Sequence, residues 1–208
     1  MNKNEIWTVS EISQQQEIKP VSFELLARGK TLAEKLKVPL AAVVLGHNLS
    51  EKELTKLIYH GADKVYWADH KDLQYFLVEN YSNLIQDLII KYQPQIVLAA
   101  ATTQGRTLMP HLSVRLNTGL TADCTDLQIE QETGLLLQIR PAIGGNIMAM
   151  IKTPAKKPQM ATVRPKSMPI PPPDENRTGS IIPLKVDESL LDNRVEHLGY
   201  LKNQQQEV

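Results

Sequence analysis

The chain of 208 residues carries 23 basic and 23 acidic side chains, a formal net charge of zero, with 42% hydrophobic and 5% aromatic residues. That length suits one domain, or one domain plus an appendage, and the charge balance leaves neither a global field nor a local basic patch to draw nucleic acid or acidic lipid. The single cysteine, Cys124, excludes an intramolecular disulfide and a cysteine-built metal centre, and no stretch reaches the roughly 20 apolar residues of a spanning helix, so the expectation is a soluble, cytoplasmic protein without nucleic-acid, membrane or metal partners.

In chain order, residues 5–9 read as a short strand, and Ser22 as the N-cap of a helix carrying Phe23, Leu25, Leu26, Leu32 and Leu36 on one face, closed by Pro39. Residues 40–45 are apolar throughout, the pattern of a strand covered on both faces, and end at Gly46. Ser50 with Glu53 spells a capping box for a helix through Ile58, with Gly61 as its C-cap before a strand at 64–67, where Tyr66 and Trp67 face opposite ways. A longer helix follows over 72–92, stopped by Pro94, then an apolar strand at 95–100 and a helix opened by the 102–106 loop, with Pro110 placed in its first turn.

Repeated strand-to-helix alternation requires crossovers, and so predicts an α/β fold: a three-layer, doubly wound, mainly parallel sheet, Rossmann-like. After Gly119 the runs shorten. Residues 124–129, 135–140, 147–151 and 160–163 are separated by turn chemistry, Gly144-Gly145-Asn146 included, and read as extra antiparallel strands extending or capping the sheet. Four prolines within 169–173 mark a linker or strap over 169–180. This divides the chain into an α/β domain at 1–168, the linker, and connecting strands at 181–208 that are too poor in large side chains for a core and must lie on the main body or on another chain.

The 102–106 loop sits at the carboxyl end of a strand and the start of a helix, where α/β domains bind anions. It holds one glycine, Gly105, without the spacing of a dinucleotide or P-loop signature, so a cap at Thr102 or Thr103 with Arg106 solvated or ion-paired stands beside the anion reading. Arg140 precedes the glycine pair and can serve a tight hairpin or an interface; Arg164 ends another strand with the same two options. Asp123 and Asp126 are turn caps or, less simply, a catalytic pair. Cys124 lies in an apolar run that favours an inert thiol, and the five histidines show no metal-binding spacing.

Residues 104–116, then Thr118-Gly119-Leu120-Thr121-Ala122-Asp123, then Arg140-Pro141-Ala142-Ile143-Gly144-Gly145-Asn146, then Thr162-Val163-Arg164-Pro165, taken in that order, closely resemble the N-terminal domain of electron-transfer flavoprotein alpha subunits. Residues 61–66 also look like that domain's third strand, and the resemblance runs from Ile6 to Lys166. It implies an adenine nucleotide alpha hydrolase-like fold. It also implies a heterodimer with a beta subunit, and a scaffold on which a mobile FAD domain passes electrons between dehydrogenases and an acceptor. The glycine-rich flavin-binding segments are missing after 208, so the resemblance implies FAD in the full complex and none expected for this chain alone; the flavin domain is then either cut away or encoded separately. Arg106, Arg140, Asn146 and Arg164 become expected polar anchors at a domain or subunit boundary, with Gly119, Gly144 and Gly145 shaping the backbone. Two rivals remain: a stand-alone adenine-nucleotide-binding domain like universal stress proteins, and a hydrolase or transferase using Asp123 with Arg140.

Overall fold

The alternating apolar runs and helical stretches become βα units in the computed structural model, which describes residues 4–142 and 147–199. β1 (Ile6–Val9), α1 (Pro20–Leu36), β2 (Leu40–Gly46), α2 (Glu51–Tyr59), β3 (Lys64–Asp69), α3 (Val78–Tyr92), β4 (Ile96–Ala100) and α4 (Thr103–Arg115) follow one another in the expected order. Every residue of β1, β2 and β4 is buried, because helices cover both faces of the sheet. α1 and α2 pack on one face around Leu26, Leu32, Leu57 and Ile96, and α3 and α4 pack on the other around Trp7, Ile85, Met109 and Leu112. Tyr66 and Trp67 do point into opposite layers.

Three local readings are corrected. α1 begins at Pro20, whose fixed φ suits the first helical position, so Ser22 lies inside the first turn and its hydroxyl serves Glu11 instead of capping the helix. The helix expected from Asp72 is split into a short 3-10 turn at Lys71–Leu73 and α3, because Leu77 is extended. Pro110 is the eighth residue of α4, exposed to solvent in mid-helix; it forgoes one backbone bond, and the buried neighbours Met109 and Leu112 hold the helix against the sheet.

The remaining strands are β5 (Leu120–Cys124), β6 (Asp126–Ile129), β7 (Leu136–Pro141), β8 (Met148–Ile151), β9 (Gln159–Val163) and β10 (Ser180–Leu184). The main sheet has the order β10-β3-β2-β1-β4-β9-β5, and all its pairings are parallel. Only β6, β7 and β8 form the antiparallel set. Residues 160–163 do not belong to it: β9 is buried along its whole length and enters the main sheet between β4 and β5. Its shortness made it resemble the hairpin strands before it.

The proline-rich stretch crosses the α1/α2 face. The Lys166 amide donates to Glu24 (2.6 Å), the Asp174 amide to the Tyr59 carbonyl (2.9 Å), and Arg177 pairs with Asp63 (2.6 Å). The chain then adds β10 beside β3, an edge position where Pro183 is tolerated. Beyond it, the Leu190 carbonyl accepts from Asn83 (2.7 Å) and the Asp192 amide donates to Asn80 (2.6 Å), so the described part of 181–208 lies on the main body.

Candidate functional site

Strand order reverses at β1, which sends the chain to β2 on one side and receives β4 on the other, so the crevice at the carboxyl ends of β1 and β4 is where this fold accommodates ligands. Here the protein fills it. Glu11, 5% exposed, follows β1 and turns its carboxylate to the amino end of α4, where it accepts the hydroxyl proton of Thr102 and pairs with Lys19 at 3.0 Å. The Thr102 oxygen in turn accepts the Gly105 amide at 3.2 Å, which settles the cap on Thr102 where the sequence left Thr102 or Thr103. A Cβ on Gly105 would fall 1.9 Å from the Ala100 carbonyl oxygen, so only glycine lets α4 start this close to β4. The space left between Ser10, Glu11, Tyr81, Gln104 and Gly105 is about 10 Å³, at the lower limit for one water. A carboxylate at a helix amino terminus takes the place a ligand's anion would take. The sequence reading missed Glu11; its only signal was a charged residue just beyond an apolar strand, and its meaning depends on β4 lying alongside.

A second cluster gathers at the ends of β5 and β9. Asp123 has a left-handed φ of 62° where the β5–β9 register shifts, and its amide donates to Thr162 Oγ1 at 2.8 Å. The bulge turns its carboxylate outward. Arg164 grips that carboxylate with a two-pronged fork, Nε at 3.2 Å and Nη2 at 2.7 Å, and Arg106 approaches at 3.5 Å. The Arg164 hydrogen bonds hold the Asp123 carboxyl below the usual carboxylate range; burial opposes them, and the charges of Arg164, Arg106 and Arg140 add to the lowering. Arg140 adds its field without a side-chain hydrogen bond to any described residue. Burial pushes the neighbouring Cys124 thiol up to about 11, so it stays neutral and unreactive.

The sequence-selected residues thus fall into distinct places. Arg106, Asp123, Arg140 and Arg164 come together from four separate segments, and Gly105 packs at the foot of the helix that carries Arg106. Gly119 sits apart, with its hydrogen facing Thr153; a Cβ there would approach Thr153 Cγ2 to 2.6 Å. Gly144, Gly145 and Asn146 lie outside the described residues. Asp126 does not pair with Asp123: it binds Arg28 at 2.7 Å. An Asp123 held in the Arg164 fork offers no free acid or base, and the Asp123–Arg140 catalytic alternative finds no support in this geometry. Among the described residues no cluster of three or more His, Cys, Asp or Glu could hold a metal, and no helix is long and apolar enough to cross a membrane.

The antiparallel sheet presents a third feature. Register places Ile139 opposite Met150 and Pro141 opposite Met148 on one face. Met148 is 53% and Met150 61% exposed. Two flexible, polarizable methionines thus stand exposed on this sheet face.

A family model described as "Electron transfer flavoprotein domain" matches residues 6–189. Curated relatives include the "Electron transfer flavoprotein subunit alpha" of Clostridium acetobutylicum, 48% identical over 168 residues, which cover 79% of this chain and 49% of that protein. The protein of the same name from Thermoanaerobacterium thermosaccharolyticum is 43% identical over 199 residues, 95% of this chain and 59% of the other. The "Lactate dehydrogenase (NAD(+),ferredoxin) subunit LctC" of Acetobacterium woodii is 38% identical over 188 residues, 90% and 44% of the two chains. The chain spans about half the length of the curated relatives it matches.

Proposed function

The chain belongs to the electron transfer flavoprotein family, and from that premise we propose that it is the N-terminal scaffold domain of an alpha subunit, serving electron transfer in the cytoplasm. In this reading it docks a beta subunit and braces a mobile FAD domain that passes electrons between dehydrogenases and an acceptor, with no bond chemistry of its own. In this reading the proline-rich stretch at 169–180 is a strap on the scaffold, and the strand after it, the outermost of the main sheet, leads toward the flavin domain.

The observation that carries the reading is the self-filled crevice. Glu11 accepts from Thr102 at the fold's ligand position, and the space beside Glu11 and Gly105 is about 10 Å³, which supports a scaffold role over one of holding a nucleotide there. The exposed side chains of Met148 and Met150, on one face with Ile139, support the docking part, since exposed apolar patches of this kind mark subunit contacts. In the same reading Arg106, Arg140 and Arg164 are polar anchors at a domain or subunit boundary, with Gly119 as a backbone-shaping position.

The test is direct. The purified chain should lack the visible flavin band and show no thermal stabilisation by AMP, while mixing with its cognate beta subunit should give a one-to-one complex by light scattering after gel filtration. Met148→Asp with Met150→Asp should abolish that complex and leave the melting temperature unmoved. Stoichiometric bound FAD, or a melting shift with millimolar AMP, would overturn the scaffold reading.

A further inference from the structure

The amino ends of β1 and β3 lie at the opposite end of the sheet from the filled crevice, and they hold a buried carboxylate that the scaffold reading does not use. Glu5 stands just before β1 and is 2% exposed. It accepts the Trp7 indole N–H at 2.9 Å, the Lys64 ammonium at 2.6 Å and the Tyr66 hydroxyl, whose oxygen lies 3.1 and 3.3 Å from the two carboxylate oxygens. Burial, then the Glu5 charge and hydrogen bond, keep the Tyr66 phenol protonated in the resting chain. The rings around this carboxylate also touch one another. Tyr66 meets Tyr92 at 5.0 Å between ring centres and Trp7 at 5.4 Å, and Trp7 meets Tyr92 at 5.9 Å. Trp7 and Tyr66 are buried, whereas Tyr92, the last residue of α3, is half-buried, with the Lys91 ammonium over its ring.

A phenol that loses an electron becomes a strong acid, and the oxidised ring persists only where its proton has an acceptor. Glu5 Oε2, 3.1 Å from the Tyr66 oxygen, is within reach of that proton. Tyr81 is also buried, but its hydroxyl meets the carbonyl oxygens of Leu45 and Leu73, which are far poorer bases than a carboxylate. We propose that Tyr66 is a one-electron redox site, with Glu5 as its proton acceptor and Tyr92 as its contact with solvent, which takes up oxidising equivalents from small nitrogen- or oxygen-centred radicals. The oxidant is reduced by one electron from Tyr92, whose phenolic proton goes to water. Tyr66 then gives an electron to Tyr92, which recovers a proton from water, while the Tyr66 proton passes to Glu5. The net change is one electron moved from Tyr66 to the oxidant, one O–H bond broken on Tyr66 and one formed on Glu5. An oxidised Trp7 drains to the same place, because an indolyl radical oxidises a phenol at neutral pH. None of these residues belongs to the crevice, the Asp123 cluster or the methionine face, so the proposal stands apart from the docking reading.

Pulse radiolysis of the full chain, with the azide radical as oxidant, tests it. Wild type should show a phenoxyl absorption with a long-lived component, because a radical on a ring only 3% exposed is shielded from coupling with another chain's radical. Tyr66→Phe, which keeps the ring and its packing, should remove that component, and Tyr92→Phe should slow its appearance. Tyr81→Phe should leave it as in wild type. Glu5→Gln keeps a hydrogen-bond acceptor of the same size but is a far weaker base, and should lower the yield of the component at least about tenfold. Melting temperatures are read on the same samples, and if Glu5→Gln does not fold, Tyr66→Phe and Tyr92→Phe decide the matter. A wild type without a long-lived phenoxyl signal, a signal that survives in Tyr66→Phe, or a folded Glu5→Gln variant with full yield overturns the proposal and leaves the carboxylate cluster a structural one.

Discussion

Replacing Glu11 by alanine probes the feature on which the scaffold reading depends. The substitution removes the acceptor of the Thr102 hydroxyl, a hydrogen bond to a charged group worth about 1.5–3 kcal/mol. It also removes the Lys19 pair, which contributes at most about 1 kcal/mol because Lys19 is 39% exposed and rehydrates readily. Against these losses, the carboxylate, 6% exposed, no longer has to be held out of water, which returns a share of both. The net expectation is a loss of about 2 kcal/mol, or about 4–8 °C in melting temperature for a chain of this size, read by circular dichroism at neutral pH. Glu11→Gln keeps an acceptor and the volume, and should cost about half as much. The emptied space lies before the first amides of α4, so millimolar phosphate should stabilise Glu11→Ala more than wild type. A Glu11→Ala variant as stable as wild type, with no extra response to phosphate, would refute the argument that this carboxylate plugs an anion position.

Three further outcomes follow from particular contacts. Asp123 has a lowered folded-state pKa, so its stabilisation is complete above the unfolded value near 3.8 and is lost as pH falls through the folded value; the melting difference between wild type and Asp123→Asn should therefore shrink below about pH 4 and stay flat from pH 5 to 8. Gly105→Ala must push backbone against backbone at the Ala100 carbonyl, and should cost about 3 kcal/mol or more, seen as a large melting shift or insoluble expression. Cys124, fully buried with its thiol pushed up to about 11, should react with a thiol reagent at pH 8 only on unfolding, so rapid labelling of the native chain would contradict its placement.

Local pattern carried much of the architecture. The apolar runs at 40–45 and 95–100 announced strands covered on both faces, Thr102 announced the start of α4, and βα alternation announced a parallel sheet, because burial periodicity and end-capping are properties of adjacent residues. The resemblance of 104–123, 140–146 and 162–165 to flavoprotein alpha subunits needed only ordered motifs, and the family match over 6–189 agrees with it.

What local pattern could not carry was neighbourhood. A five-residue run such as β9 shows the same alternation whether it closes a hairpin or enters between β4 and β5, and only the partners decide. Ser22 read as a cap until Glu11 supplied a better partner, and Glu11 had no reading at all until β4 and Thr102 came beside it. Arg106, Asp123, Arg140 and Arg164 were all candidates in the sequence, but only Asp123 with Arg140 was paired there, and the meeting of the four depends on the β5–β9 register shift that turns Asp123 outward. The residues alone determined which segments would be helix or strand and which side chains carried charge. The tertiary structure decided which charges cancel and which remain, because electrostatic energy depends on distances between groups that the chain separates by tens of residues.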